Sequence, residues 1–190
     1  NGGGYVAGSI NSHLDLASRI CMETGSKVLL FNYRLAPEHP FPAGLHDVQT
    51  VYHWVMANFQ RTHRICLAGD SAGGGLTLAL LAGLLKEKST LPECIALVSP
   101  WLDLECKSRT YETCRDKDPM IDPDDLKYVA GLYTDQPLSD PMISPINNSF
   151  KGLPPILIQA GDNEVLKDDS RILARKLEAD GVNVQLEIWE

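Results

Sequence analysis

The chain is 190 residues long, 44% of them hydrophobic and 22% charged, with a formal net charge of −8. These values describe a single globular domain with enough apolar residues to bury a core, and they exclude a disordered chain. The acidic balance repels phosphate backbones and lacks the basic clusters that hold a protein on an anionic bilayer, so neither nucleic acid nor a stable membrane anchor is expected among its partners.

Gly2-Gly3-Gly4-Tyr5 opens the chain, a run whose backbone can approach another molecule closely because no Cβ intervenes. A helical pattern follows over about 11–24. Val28-Leu29-Leu30-Phe31-Asn32-Tyr33 reads as a strand, and helical periodicity resumes over about 45–59. Ile65-Cys66-Leu67-Ala68 is the next strand, followed by an apolar helix over 72–88 and a strand at Ile95-Ala96-Leu97-Val98. From about 105 to 150 the alternation breaks. One helix, 123–133, stands among the turn signals Asp118-Pro119, Asp122-Pro123, Asp140-Pro141 and Ser144-Pro145. This stretch reads either as a lid or cap excursion above a sheet or as a plain surface connection. Ile156-Leu157-Ile158-Gln159 and Val184–Trp189 are strands, with a helix over 168–180 between them. The first four strands are short and almost continuously apolar, the pattern of parallel strands buried on both faces. The whole predicts an α/β fold, a mostly parallel sheet with helices on both faces.

The five cysteines, Cys21, Cys66, Cys94, Cys106 and Cys114, are scattered and lack CxxC spacing. That predicts neither a disulfide framework nor a zinc site. Cys66 and Cys94, inside apolar runs, read as small buried hydrophobes. This usage fits a reducing, cytoplasmic compartment, and the sequence carries neither a transmembrane run nor a secretory h-region.

The segment with the most chemistry is Gly69-Asp70-Ser71-Ala72-Gly73, a G-x-S-x-G with a strand leading in and a helix leading out. That context is a nucleophile elbow, with Ser71 as the nucleophile. The helix beginning after Ser71 aims free N–H groups and its positive end at a developing oxyanion. A glycine-rich turn without chemistry is the plain alternative. A phosphate loop would end in G-K-[ST], which this segment does not. Lipases and esterases carry a glycine run ahead of the elbow to complete the oxyanion hole, so the N–H groups of Gly3, Gly4 and Ala72 are the candidate donors.

Three motifs stand in order: Gly2-Gly3-Gly4-Tyr5, then Tyr33-Arg34-Leu35-Ala36-Pro37-Glu38-His39-Pro40-Phe41-Pro42-Ala43, then Gly69-Asp70-Ser71-Ala72-Gly73-Gly74. Together, over essentially the whole chain, they resemble the hormone-sensitive-lipase-like family of α/β-hydrolase-fold esterases. The resemblance implies serine hydrolysis of a small-molecule carboxylic ester, with a preference for short acyl chains and without cofactor or metal. It departs at position 1, which is Asn where the family has His, leaving the hydrogen bonding of the glycine loop open.

In this fold the triad runs serine, acid, histidine along the chain. The acid belongs on the turn after the strand at 156–159. Setting Glu164-Val165-Leu166-Lys167-Asp168 against the family's D-P-L-x-D pattern assigns Glu164, with Asp162 as the alternative acid. Asp168 and Asp169 read as acids at a helix N-terminus. All five histidines precede Ser71. His39 falls in the proline-rich turn, His46 and His53 on one helix, and His13 and His63 read as solvent-exposed; none is assigned to catalysis. The resemblance places the histidine on a loop after the last strand, so the base is expected beyond Glu190. The chain is accordingly read as a fragment, without the early strands and cap of the family and inactive in isolation. The alternative function is a catalytically inactive small-molecule receptor or binding module on the same fold, and amide hydrolysis by the same groups is a third reading. Trp101, just after a strand, reads either as a neighbour of the acyl site or as core. Nothing in the sequence speaks for or against a homo-oligomer.

Overall fold

The computed structural model describes residues 1–190. Its sheet has four strands, β1 (Cys66–Asp70), β2 (Cys94–Val98), β3 (Ile156–Gly161) and β4 (Val184–Trp189), in the order β1-β2-β3-β4. All three pairings are parallel. Six helices accompany them: α1 (Ile10–Thr24), α2 (Ala43–Phe59), α3 (Ala72–Glu87), α4 (Thr110–Thr113), α5 (Pro123–Tyr133) and α6 (Lys167–Ala179), with a 3-10 turn at Pro145–Asn147. Each expected helix is present to within two residues at either end.

Local chemistry explains the boundaries. Ser9 caps α1 in a reciprocal bond with Ser12, and Gly25, at φ 65°, closes it in the left-handed conformation that a side chain disfavours. Asp122 caps α5 by accepting the Asp124 N–H at 2.7 Å, and Pro123 occupies the first helical position, where its missing N–H costs nothing. Helix α3 is buried along most of its length, from Ala72 to Leu81 and at Leu84. It packs on β1 and α2, while α6 packs on β3 and β4.

Parallel neighbours joined in sequence by right-handed crossovers put their connecting helices on one side of a sheet. Accordingly the 3-10 turn touches both α3 and α6. Ile95, Leu97, Ile156 and Ile158 point into that buried layer, which is continuous with Leu78, Leu81, Trp101 and Phe150. On the other face Cys66, Ala68 and Val98 are exposed. Within these 190 residues, β1 and β2 are buried on one face.

Two expectations are corrected. Val28–Tyr33 forms no regular element and joins no ladder, because no strand of these 190 residues runs beside it. Side chains hold it instead: the Asn1 amide donates to the Phe31 carbonyl at 3.1 Å, Asn32 accepts the Ile10 N–H at 2.8 Å, and the Tyr33 hydroxyl donates to the Asn1 carbonyl at 2.9 Å. Cys66 and Cys94 are not separate buried hydrophobes; they form a disulfide. They occupy paired register positions on adjacent strands with Cα atoms 4.8 Å apart, a proximity that only the strand pairing reveals. Cys21, Cys106 and Cys114 are free.

Candidate active site

In an all-parallel sheet every strand ends at the same edge. Ser71 follows β1, Ser99 follows β2, and Asp162 and Glu164 follow β3. With strands about 4.8 Å apart, residues leaving β1 and β3 are separated by about 10 Å, a gap that a single imidazole and its two hydrogen bonds can bridge.

Ser71 has φ 50° and ψ −121°, a strained conformation for a residue with a Cβ. The turn is held on both sides: its N–H donates to the Val98 carbonyl at 2.9 Å, and its carbonyl accepts the N–H groups of Gly74 at 2.9 Å and Trp101 at 3.0 Å. Glycines make the turn possible. A Cβ on Gly69 would collide with the Gly73 backbone and stand 2.7 Å from the Thr77 hydroxyl, and one on Gly73 would lie 2.8 Å from the Asn1 carbonyl oxygen. Ala72 is the first residue of α3, so its N–H has no intrahelical acceptor.

The glycine loop lies directly against this elbow. Gly3 and Gly4 have φ 117° and 62°, and their N–H groups donate to no acceptor within the chain. The Gly3 carbonyl is turned away, accepting from Val6 and Ala7 at 3.1 and 2.9 Å. Asn1 anchors the loop through Phe31, although its own Oδ1 is buried without a partner. Tyr5 continues the loop into the core, its ring 3.9 Å from that of Tyr133 in α5 and 5.6 Å from that of Trp101. Trp101 is wholly buried and belongs to the core.

The segment 105–150 packs on the glycine loop rather than standing free. Val129 of α5 lies over Gly4, close enough that a Cβ there would meet its Cγ1 at 2.9 Å. The same segment also grips the acid turn. Thr110 donates to the Val165 carbonyl at 2.7 Å, and Asp118 accepts the Val165 N–H at 2.9 Å. Asp169, fully buried in α6, accepts the N–H groups of Leu102 and Asp103 at 2.9 and 3.0 Å and the Tyr111 hydroxyl at 3.0 Å. Burial pushes its carboxyl up to about 7 against the pull of those backbone bonds.

The two candidate acids differ in what they touch. Asp162 is half exposed and pairs with Lys167 at 3.0 Å, with Arg171 at 3.8 Å. The Lys167 ammonium holds its carboxyl below the usual range. Lys167 also donates to the Asp162 carbonyl. Glu164 is partly buried and folds back over the end of β3, where its Oε1 accepts the Gly161 N–H at 2.9 Å.

Of the histidines, His39, His46, His53 and His63 are exposed, with His46 and His53 on a groove between α2 and α3. His13, expected at the surface, is instead only 18% exposed at its side chain and lies 3.0 Å from Asp70. Sequence reasoning also passed over Asp47, whose carboxylate receives Arg34 through Nε and Nη2 and accepts the Arg34 N–H at 2.8 Å. That clamp shapes the proline-rich turn, and the Arg34 guanidinium lowers the Asp47 carboxyl. Both partnerships join residues far apart in the chain. No group of three or more His, Cys, Asp or Glu side chains is placed to hold a metal ion, and no helix is long and apolar enough to cross a membrane.

Comparison with known proteins bears on this arrangement. A family model described as alpha/beta hydrolase fold matches residues 1–190. The acetyl-hydrolase of Streptomyces hygroscopicus is 38% identical over 192 residues, a match that takes in all of this chain and 64% of that protein. The crystal structure of an esterase from the bacterial hormone-sensitive lipase family is similar with a TM-score of 0.96 at 40% identity, over 99% of this chain and 64% of that one. EstE5 soaked with p-nitrophenyl butyrate is similar with a TM-score of 0.94 at 41% identity, again over 99% of this chain and 64% of that one. The chain thus spans just under two thirds of the length of these relatives.

Proposed function

The chain belongs to the α/β-hydrolase fold family, in its hormone-sensitive-lipase-like branch, and from that premise we propose that it carries the nucleophile, acid and oxyanion hole of a serine carboxylesterase. The observation that carries the reading is the elbow itself: a strained Ser71 at the carboxyl edge of β1, with glycine-loop N–H groups free beside it. Relatives named as an acetyl-hydrolase and as esterases support an ester substrate, and the acetyl-hydrolase supports a short acyl chain.

Ser71 Oγ attacks the ester carbonyl carbon, and its proton passes to a histidine acting as general base. The resulting tetrahedral oxyanion is bound by the N–H groups of Gly3, Gly4 and Ala72, which need no reorganisation because they already lack partners. Collapse expels the alcohol, which takes the proton from the histidine, and leaves an acyl-enzyme that water releases by the same steps in reverse roles. Glu164 orients the histidine and stabilises its charged form. Asp162, already paired with Lys167, serves the turn instead. We assign the histidine to a position outside these 190 residues, because His13 is committed to Asp70 and the other four are exposed on or beside α2. The 190-residue chain alone is accordingly assigned no more than weak turnover. Helix α5, with Val129 over Gly4, forms one wall of the substrate site and gives the 105–150 segment the role of a cap.

In the full-length gene product, Ser71→Ala is expected to lower kcat for p-nitrophenyl acetate or butyrate by roughly 10⁶ without changing the melting temperature. Retained turnover would remove Ser71 from the mechanism, whereas binding of small esters without turnover by the unsubstituted protein would favour a receptor.

A further inference from the structure

The chemistry proposed above leaves Asp70 and His13 without a task, although Asp70 is the residue immediately before the nucleophile. Asp70 Oδ2 lies 3.0 Å from His13 Nε2, and Asp70 Oδ1 accepts the Gly2 N–H at 3.0 Å. A carboxylate only accepts, so Nε2 must carry the proton at this contact. The 3.3 Å approach of Gly2 N to Nε2 is then not a bond, and the Gly2 N–H belongs to Asp70. On the far side of the ring, Nδ1 is 2.8 Å from the Ser12 hydroxyl, and Ser12 is itself locked to Ser9 in the cap of α1.

These contacts join three separate elements: the first turn of α1, the end of β1 and the glycine loop. The first turn of α1 is tied to its neighbours by the hydrogen bonds of His13 and of the Ile10 N–H. The loop has no slack at this point. A Cβ on Gly2 would collide with the Asp70 carboxylate and stand 3.1 Å from the Ser71 Cβ. Rotation of the Asp70 side chain gives up its bond to the Gly2 N–H, and the N–H groups of Gly3 and Gly4 lie one and two residues from that anchor.

We propose that His13 is a positioning residue for the oxyanion hole: it fixes Asp70, which holds the Gly2 N–H and so sets the glycine loop against Ser71. The inference rests on the serine-esterase reading. Because donors are displaced rather than removed, the effect is smaller than the about 10²–10³-fold loss that follows deletion of an oxyanion donor.

The test uses the full-length protein with p-nitrophenyl butyrate as substrate and a trifluoromethyl ketone as oxyanion-forming inhibitor. His13→Ala is expected to lower kcat about 10–100-fold with KM changed less than about twofold, and to weaken the trifluoromethyl ketone by the same factor as kcat/KM. His13→Gln, whose amide N–H can reach Oδ2, is expected to restore most of kcat. His13→Ala and Asp70→Asn combined should cost no more than the worse single variant, since both break one chain of bonds. Unchanged kcat in His13→Ala, or a loss that tracks the melting temperature and is not restored by His13→Gln, would overturn the proposal while leaving the esterase reading intact. Full turnover in Ser71→Ala, measured alongside, would overturn the esterase reading and the proposal with it.

Discussion

Glu164 and Asp162 sit two residues apart on one turn, and their surroundings differ. Asp162 is pinned by Lys167, a mostly buried cation whose own solvation depends on that contact. Glu164 makes one backbone hydrogen bond through Oε1, which leaves its second oxygen available to orient an imidazole. Glu164→Gln is therefore expected to lower kcat by roughly 10⁴, as loss of a triad acid does, whereas Asp162→Asn should change kcat less than about threefold and act on stability. Steady-state kinetics of the two variants decides between them. The turn that carries both carboxylates was legible in the sequence, because it follows directly on the strand at 156–159. What separates them was not, since it depends on where a lysine three to five residues onward folds back. The same limit hid His13 and Asp47, whose partners lie 57 and 13 residues away.

At the scale of elements, helical periodicity and caps carried the sequence reading well, as the agreement at α5 and its Asp122-Pro123 start shows. Strands fared differently. Val28–Tyr33 has every residue a strand needs and no neighbour to pair with among these 190 residues, and propensity reports only the first of these. The Cys66–Cys94 disulfide was likewise invisible without strand register. Asp169 ties α6 to the backbone of 102–103 and to Tyr111, and so couples the turn after β3 to the 105–150 segment. Its carboxyl, raised by burial and by nearby Asp103 to about 7 in the folded protein, ionises near its ordinary range when unfolded. The folded state thus binds the proton more tightly. The stabilisation is fully present below about pH 4 and is lost as pH rises through about 7. Melting temperatures at pH 5 and pH 8 should show this decline in the natural protein and a smaller one in Asp169→Asn, which keeps an acceptor but does not titrate. Equal declines would remove Asp169 as the cause.

Across the whole molecule, one topological fact organises the site. Four parallel strands with their connecting helices stacked on one face bring every strand's carboxyl end to a single edge, and the two glycine-rich segments meet there although 68 residues separate Gly2 from Asp70. The core beneath is continuous from Tyr5 through Trp101 to Leu177, so the elbow and the turn after β3 rest on one hydrophobic cluster. Motif order made this arrangement readable in advance; the packing of the 105–150 segment onto the glycine loop was not, because Val129 over Gly4 is a contact between distant segments. The most direct test of the central claim is covalent. The full-length protein would be treated with a fluorophosphonate, digested, and the modified residue located by mass spectrometry. A single stoichiometric adduct on Ser71, lost in Ser71→Ala together with ester turnover, is the predicted result. Absence of an adduct on Ser71 in a protein that still hydrolyses esters would contradict the account.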